Sequence, residues 1–378
     1  MKRDFLSPKL EGQRFEGHTV PLELIKDFSA LQEMLIDVAK WEFMKAHPDR
    51  VRIPRNFASA LELHLEGIDE GSAILKIVLL YISLFPPHLT YFEAAKTDII
   101  AAIASAEQSR TPDLPSKFLT YFDRFGRGLR AGESMSFSLA DGSKATLNPE
   151  TREKLIRSAD VAEWTEEVAL RGRIPEGDHR KNSFQMELSD GTILTGDLSG
   201  PYRDVISKAW LSYNKGHDEY VLIRGIAKKD RQGQFKAFEA IEDVTALDPL
   251  DVALRLDSLA QLQDGWLDGI GTAPDKEGLK RLAAAFDTHF DPELPLPYLY
   301  PTPEGGIQAE WSLNENTWSI TLEVAPEGME AEYQALNLTT HESLDQTISL
   351  STENGWAALN KALRQLISPS SEEITVDV

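Results

Sequence analysis

Residues 163–247 read EWTEEVALRGRIPEGDHRKNSFQMELSDGTILTGDLSGPYRDVISKAWLSYNKGHDEYVLIRGIAKKDRQGQFKAFEAIEDVTAL. Five runs in this stretch have strand character: Glu167–Ile174, Ser183–Leu188, Ile193–Leu198, Tyr220–Ala227 and Phe235–Val244. In the first three, apolar or small residues largely alternate with polar ones, as in strands with one face buried. Asp190-Gly191 and Asp230-Arg231-Gln232-Gly233 supply hairpin-turn chemistry. Between the third and fourth runs, Tyr202–Tyr213 has helical spacing. Five strands with a helix between the third and fourth predict a small β-barrel, either of OB type or generic.

On the N-terminal side, the first 110 residues read as an α/β unit. Leu22, Leu24, Ile25, Phe28, Leu31, Met34, Leu35, Val38, Ala39 and Phe43 recur at three and four, between Pro21 and His47-Pro48, which predicts a helix. Leu61–Glu66 alternates as a half-buried strand, Asp69-Glu70-Gly71-Ser72 is turn-like, and an apolar strand runs on to Leu80, so the two strands form a hairpin. Pro86-Pro87 ends that apolar stretch, which falls short of the ~20 residues needed to span a bilayer. Tyr91–Glu107 predicts a second helix. Residues 111–160 read as a helical and hairpin connector: a helix from Ser116 to about Arg130, a hairpin around Asp141-Gly142, and a helix after Asn148-Pro149, with Asn148 as its N-cap.

On the C-terminal side, helices are predicted at Leu250–Leu262, Lys276–His289 and Asn354–Ile367. Strands are predicted at Ile307–Leu313, Trp318–Val324 and Ala331–Leu338, followed after the last helix by a polar, frayed tail. The expected fold class is therefore α+β and multi-domain. Its parts are an N-terminal α/β domain (1–110), a connector (111–160), an OB-like barrel (161–248) and an acidic α+β domain (249–378).

Charge separates these parts. Of the 378 residues, 61 are acidic and 39 basic; from Asp251 onward there are 22 acids against 6 bases, a net charge of −16. Such a field repels nucleic acid and anionic lipid and attracts basic protein surfaces. Residues 161–250 hold 16 acids and 12 bases, a weak balance for nucleic-acid binding. A barrel of this kind would bind single strands through aromatics interleaved with bases, and Arg171, Arg173, Arg224, Lys228 and Lys229 are the candidate contacts. Cysteine is absent, which excludes disulfides and thiolate–metal sites. The N-terminus lacks the apolar segment of a secretory signal, and a cytoplasmic location is expected.

Catalytic signatures are missing. Gly126-Arg127-Gly128 has no preceding strand, Gly305-Gly306 precedes a strand, and the histidines form no H-x-x-x-H pair. Asp287, His289 and Asp291 alternate at a helix end, where residues two apart face different ways. Neither a metal nor a cofactor is expected, and the chain is not expected to be an enzyme. In Asp264-Gly265-Trp266-Leu267-Asp268, capping aspartates, positive-φ glycines and a tryptophan under the loop explain the residues better than an EF-hand, whose acid spacing is absent. The segment DGWLDGIG followed by PYLYPTPEGGIQAEW, with GHTVPL and GIDEGSA near the N-terminus, resembles an uncharacterised bacterial protein family similar to accessory proteins of defence or mobile loci. The resemblance implies a non-enzymatic operon partner. The expected function is a binding or regulatory subunit that holds or neutralises a basic effector encoded nearby, in an antiviral defence or toxin–antitoxin-like system. Asp264, Trp266, Asp268, Glu310 and Trp311 are the candidate partner contacts. The alternative is a nucleic-acid sensor using the barrel and the basic connector.

Overall fold

The computed structural model describes residues 2–55, 57, 61–69, 73–81, 88–138, 142–216, 219–314 and 317–367. The turn at 70–72, Pro86-Pro87, Asp141 and the tail from 368 lie outside them. The chain is α+β with three sheets. It divides into two compact units, Met1–Val168 with Arg224–Glu242, and Ala169–Ile223 with Asp243–Val378.

In the first unit, β1 (Lys2–Leu6) and β2 (Lys9–Glu11) precede helix α1 (Leu22–Ala46), the hairpin β3 (Leu61–Asp69) and β4 (Ala73–Tyr81), and helix α2 (Leu89–Glu107). β3 pairs antiparallel along one edge of β4, and β1 and β2 share the other. The N-terminal strands had no sequence signal: they are short, and Pro8 falls between them. A four-residue helix, α3 (Ser116–Leu119), follows, then β5 (Ser134–Ser138), β6 (Lys144–Leu147) and α4 (Pro149–Ser158). β5 pairs with β2 and with β6, so residues 111–160 extend the first sheet. Asn148 caps α4 as expected, its Oδ1 accepting the Thr151 N–H at 2.8 Å.

The helix expected to run from Ser116 to Arg130 stops early. After a 3-10 turn at Thr120–Asp123, the chain enters a loop in which Gly126 (φ +82°) and Gly132 (φ +81°) take left-handed conformations. Side chains clamp this loop in place of helical hydrogen bonds. Asp27, buried on α1, accepts the Gly128 N–H at 2.9 Å. Glu133 is 5% exposed and binds Arg14 through two bonds of 2.5 and 2.7 Å. Arg152 on α4, also 5% exposed, donates to the carbonyls of Phe122, Asp123 and Thr165. A buried cation is tolerable only with its donors satisfied.

The second sheet is a hydrogen-bonded ring of five strands: β7 (Glu163–Asp178), β8 (Ser183–Glu187), β9 (Ile193–Asp197), β10 (Tyr220–Asp230) and β11 (Phe235–Ala246). Around the ring the order is β7-β8-β9-β11-β10. Helix α5 (Arg203–Tyr213) lies in sequence between β9 and β10. Both expected turns form: the Gly191 N–H donates to Leu188, and the Gly233 N–H donates to Asp230.

Besides part of this ring, the second unit holds α6 (Val252–Leu259), α7 (Lys276–His289), the strands β12 (Tyr298–Pro301), β13 (Ile307–Leu313), β14 (Trp318–Ala325), β15 (Glu330–Asn337) and β16 (Ser343–Ser349), and α8 (Glu353–Ile367). The five strands form an antiparallel meander in sequence order. α6 packs at the β12 end, α8 at the β16 end, and α7 between the two helices. The sheet's inner face buries Leu299, Ile307, Trp311, Ile320, Leu322 and Tyr333 against Phe286 of α7 and Trp356 and Leu363 of α8. This is a two-layer unit with helices on one face of the sheet.

A candidate partner-binding face

Strand alternation decides what the other face of the β12–β16 sheet presents. Because inward positions are apolar, every second residue points outward, and the registers align these in rows. One row runs Tyr298, Glu310, Thr321, Gln334, Asp345. The next runs Tyr300, Gln308, Glu323, Glu332, Thr347. Beyond it Ala325, Glu330 and Ser349 are paired. Tyr298 is 56% exposed and Tyr300 44%. Glu323, Glu332, Gln334, Asp345 and Thr347 are exposed, and Gln308, Glu310 and Thr321 are half-buried.

This face is acidic and carries no cation among the described residues. Between Arg281 and Lys361 the sequence has no lysine or arginine and 13 acidic residues. Glu310 accepts from Gln308 Nε2 at 2.5 Å, Asp345 from Gln334 Nε2 at 2.9 Å and Glu330 from the Ser349 hydroxyl at 2.7 Å. Glu323 and Glu332 have no hydrogen bond or ion pair among the described residues, and they sit directly opposite each other on β14 and β15. Like charges so placed destabilise a sheet. Two shallow depressions share this pair as part of their lining. One, of about 450 Å³, also includes Thr302, Glu304, Glu327 and Glu330. The other, of about 310 Å³, includes Thr321, Gln334 and Asp345.

No family model matches this chain, and no curated protein matches it in sequence.

The expected partner contacts divide between different surroundings. Glu310 lies on the open face, one residue from Trp311, which points inward and is 3% exposed. Trp311 donates its Nε1–H to the Pro295 carbonyl at 2.9 Å. Asp264, Trp266 and Asp268 lie in a tight loop. In it Asp264 accepts the Ala273 N–H at 2.9 Å, Gly265 N–H bonds the Gly271 carbonyl at 2.8 Å, and Leu267 and Ile270 form a two-way bridge. Asp268 takes φ +49° and is exposed. Trp266 is half-buried, where a buried position under the loop was expected: the loop closes on itself, and the indole rests on Gly271 with its N–H on the Thr272 carbonyl at 3.1 Å.

The candidate nucleic-acid contacts have acidic neighbours. Arg171 reaches Asp287 at 2.7 Å and Asp251 at 3.0 Å. Arg173 pairs with Glu187 at 3.0 Å and stacks over Tyr213. Lys229 meets Glu166 at 2.6 Å and Lys228 lies 3.7 Å from Glu239; Arg224 is exposed. The sequence reading missed Tyr298, Tyr300, Glu323 and Glu332. The signal was there in TLEV and EAEYQ, where acids occupy alternate positions of apolar strands with no lysine between them.

Proposed function

We propose that this protein is a non-enzymatic binding or regulatory subunit whose C-terminal unit holds a basic effector protein, as an accessory subunit in a bacterial defence or toxin–antitoxin-like system would. The observation that carries the reading is the open β12–β16 face, a five-stranded surface with five carboxylates and no compensating cation among the described residues. Self-repulsion there persists in the free chain and is relieved when a cationic surface covers it. We also infer that the ring of five strands is an OB-like barrel. The strand order first-second-third-fifth-fourth, with a helix between the third and fourth, supports this. In this reading the barrel is a scaffold, because most of its candidate cations already have acidic partners.

The test is a titration of the purified chain with the product of the neighbouring gene at rising ionic strength. The expected result is an association that weakens by an order of magnitude or more between about 50 and 300 mM salt, as the Debye length falls through ~8 Å. Association unchanged over that range removes the electrostatic basis of the reading.

A further inference from the structure

We infer that the outer face of the β12–β16 sheet takes an extended segment of its partner, with basic side chains at alternate positions, laid along β14 and β15. The inference rests on the proposed function and narrows it to one surface and one ligand geometry. Two surfaces of the second unit could meet a basic partner, the helix layer or the sheet face. In the helix layer several carboxylates are already engaged: Asp291 binds Arg364, Glu277 meets Lys280 at 2.7 Å, and Asp287 meets Arg171 at 2.7 Å. On the sheet face Glu323 and Glu332 have no hydrogen bond or ion pair among the described residues, and both are exposed, as are Tyr298 and Thr347.

Spacing selects the form of the ligand. Successive outward rows lie two residues apart along each strand, ~6.8 Å, which is also the separation of alternate side chains in an extended peptide. A chain running along β14 and β15 therefore places residues i, i+2 and i+4 over the Thr321–Gln334, Glu323–Glu332 and Ala325–Glu330 rows. A cation over the middle row sits between two opposed carboxylates and turns their repulsion into attraction. The depressions to either side, lined by Glu304, Glu327 and Glu330 and by Thr321, Gln334 and Asp345, accept the flanking cations. A basic helix spaces its cations along one face at i and i+4, ~6 Å apart, but its ~10 Å girth holds its backbone away from the shallow hollows. At the edge of the same face, the exposed rings of Tyr298 and Tyr300 offer stacking surfaces to a guanidinium.

The probes are two labelled peptides of identical composition, one with arginine alternating with serine and threonine, the other with the arginines regrouped at helical spacing around alanine-rich turns. Fluorescence polarisation against the full chain at low salt is expected to favour the alternating peptide by tenfold or more. The double variant Glu323→Gln/Glu332→Gln should lose that preference. Glu293→Gln/Glu353→Gln, which removes the same charge from the helix side of the unit, should keep it. Equal binding of both peptides, with the two double variants weakened alike, overturns the inference and leaves a diffuse acidic field as the basis of the function. Failure of both peptides to bind overturns the function with it.

Discussion

Trp311 sets the stability of the second unit at a single position. Its ring is 3% exposed, stacks 6.5 Å from Phe290 and anchors the Pro295 carbonyl. Truncation leaves a cavity and an unpaired carbonyl, so Trp311→Ala should cost ~3–5 kcal/mol and lower the melting temperature; a wild-type melt would mean that the ring is not core. Asp27 gives the first unit a pH signature. Burial pushes its carboxyl from 3.8 up to about 6, against the pull of the Gly128 N–H and of Arg127 and Arg152. A raised pKa means that the folded state prefers the protonated form. The stabilisation is complete below about pH 4 and is lost as the pH rises through about 6. Asparagine can still accept the Gly128 N–H, so the stability of Asp27→Asn relative to wild type should increase between those limits by at most about 3 kcal/mol. A difference that stays flat in urea melts across pH 4–7 would show that Asp27 is not buried as a carboxylic acid. Trp311, although placed among the candidate partner contacts, is legible as a core residue from its apolar position in an alternating strand. Asp27 is not, because a single acid among the apolar positions of α1 carries no mark of the loop glycine it binds.

At the scale of elements, periodicity located most of the long helices and strands within a few residues, since each must bury one stripe or one face to be stable. What it missed were elements whose formation depends on a neighbour. β1, β2 and β12 are five, three and four residues long and exist because β4, β5 and β13 offer them an edge. β16, SLDQTIS, is exposed from Ser343 to Thr347 and buries Ile348, too little apolar pattern to read alone. The Ser116–Arg130 helix was overpredicted for the opposite reason. Its apolar spacing is real, with Phe118, Leu119, Phe122, Phe125 and Leu129 all buried, but Gly126 and Gly128 let side-chain clamps replace the helical ladder. The open sheet face was half legible. Acid enrichment after Asp251 pointed to the C-terminal unit, but only the cross-strand register brings Glu323 opposite Glu332.

At the scale of the whole molecule, the choice between a protein partner and a nucleic acid turns on how much positive charge is uncommitted. Phosphate contacts supply most of the affinity of sequence-independent binding, and each requires a cation free to leave its present partner. Arg171, Arg173, Lys228 and Lys229 would each have to leave Asp251 and Asp287, Glu187, Glu239 or Glu166, within a chain of net charge −22. A single-stranded ligand gains no net attraction from exchanging those carboxylates for phosphates while it also meets the field of the C-terminal unit. The full chain should therefore show no binding to a labelled single-stranded oligonucleotide, DNA or RNA, by polarisation at physiological salt, and at most weak binding at about 20 mM salt that vanishes as screening rises. Micromolar binding at physiological salt, abolished in Arg224→Ala/Lys228→Ala/Lys229→Ala and unaffected by Glu323→Gln/Glu332→Gln, would reverse the order of the two functions. It would make the five-stranded ring the working surface and the acidic sheet face its counterweight.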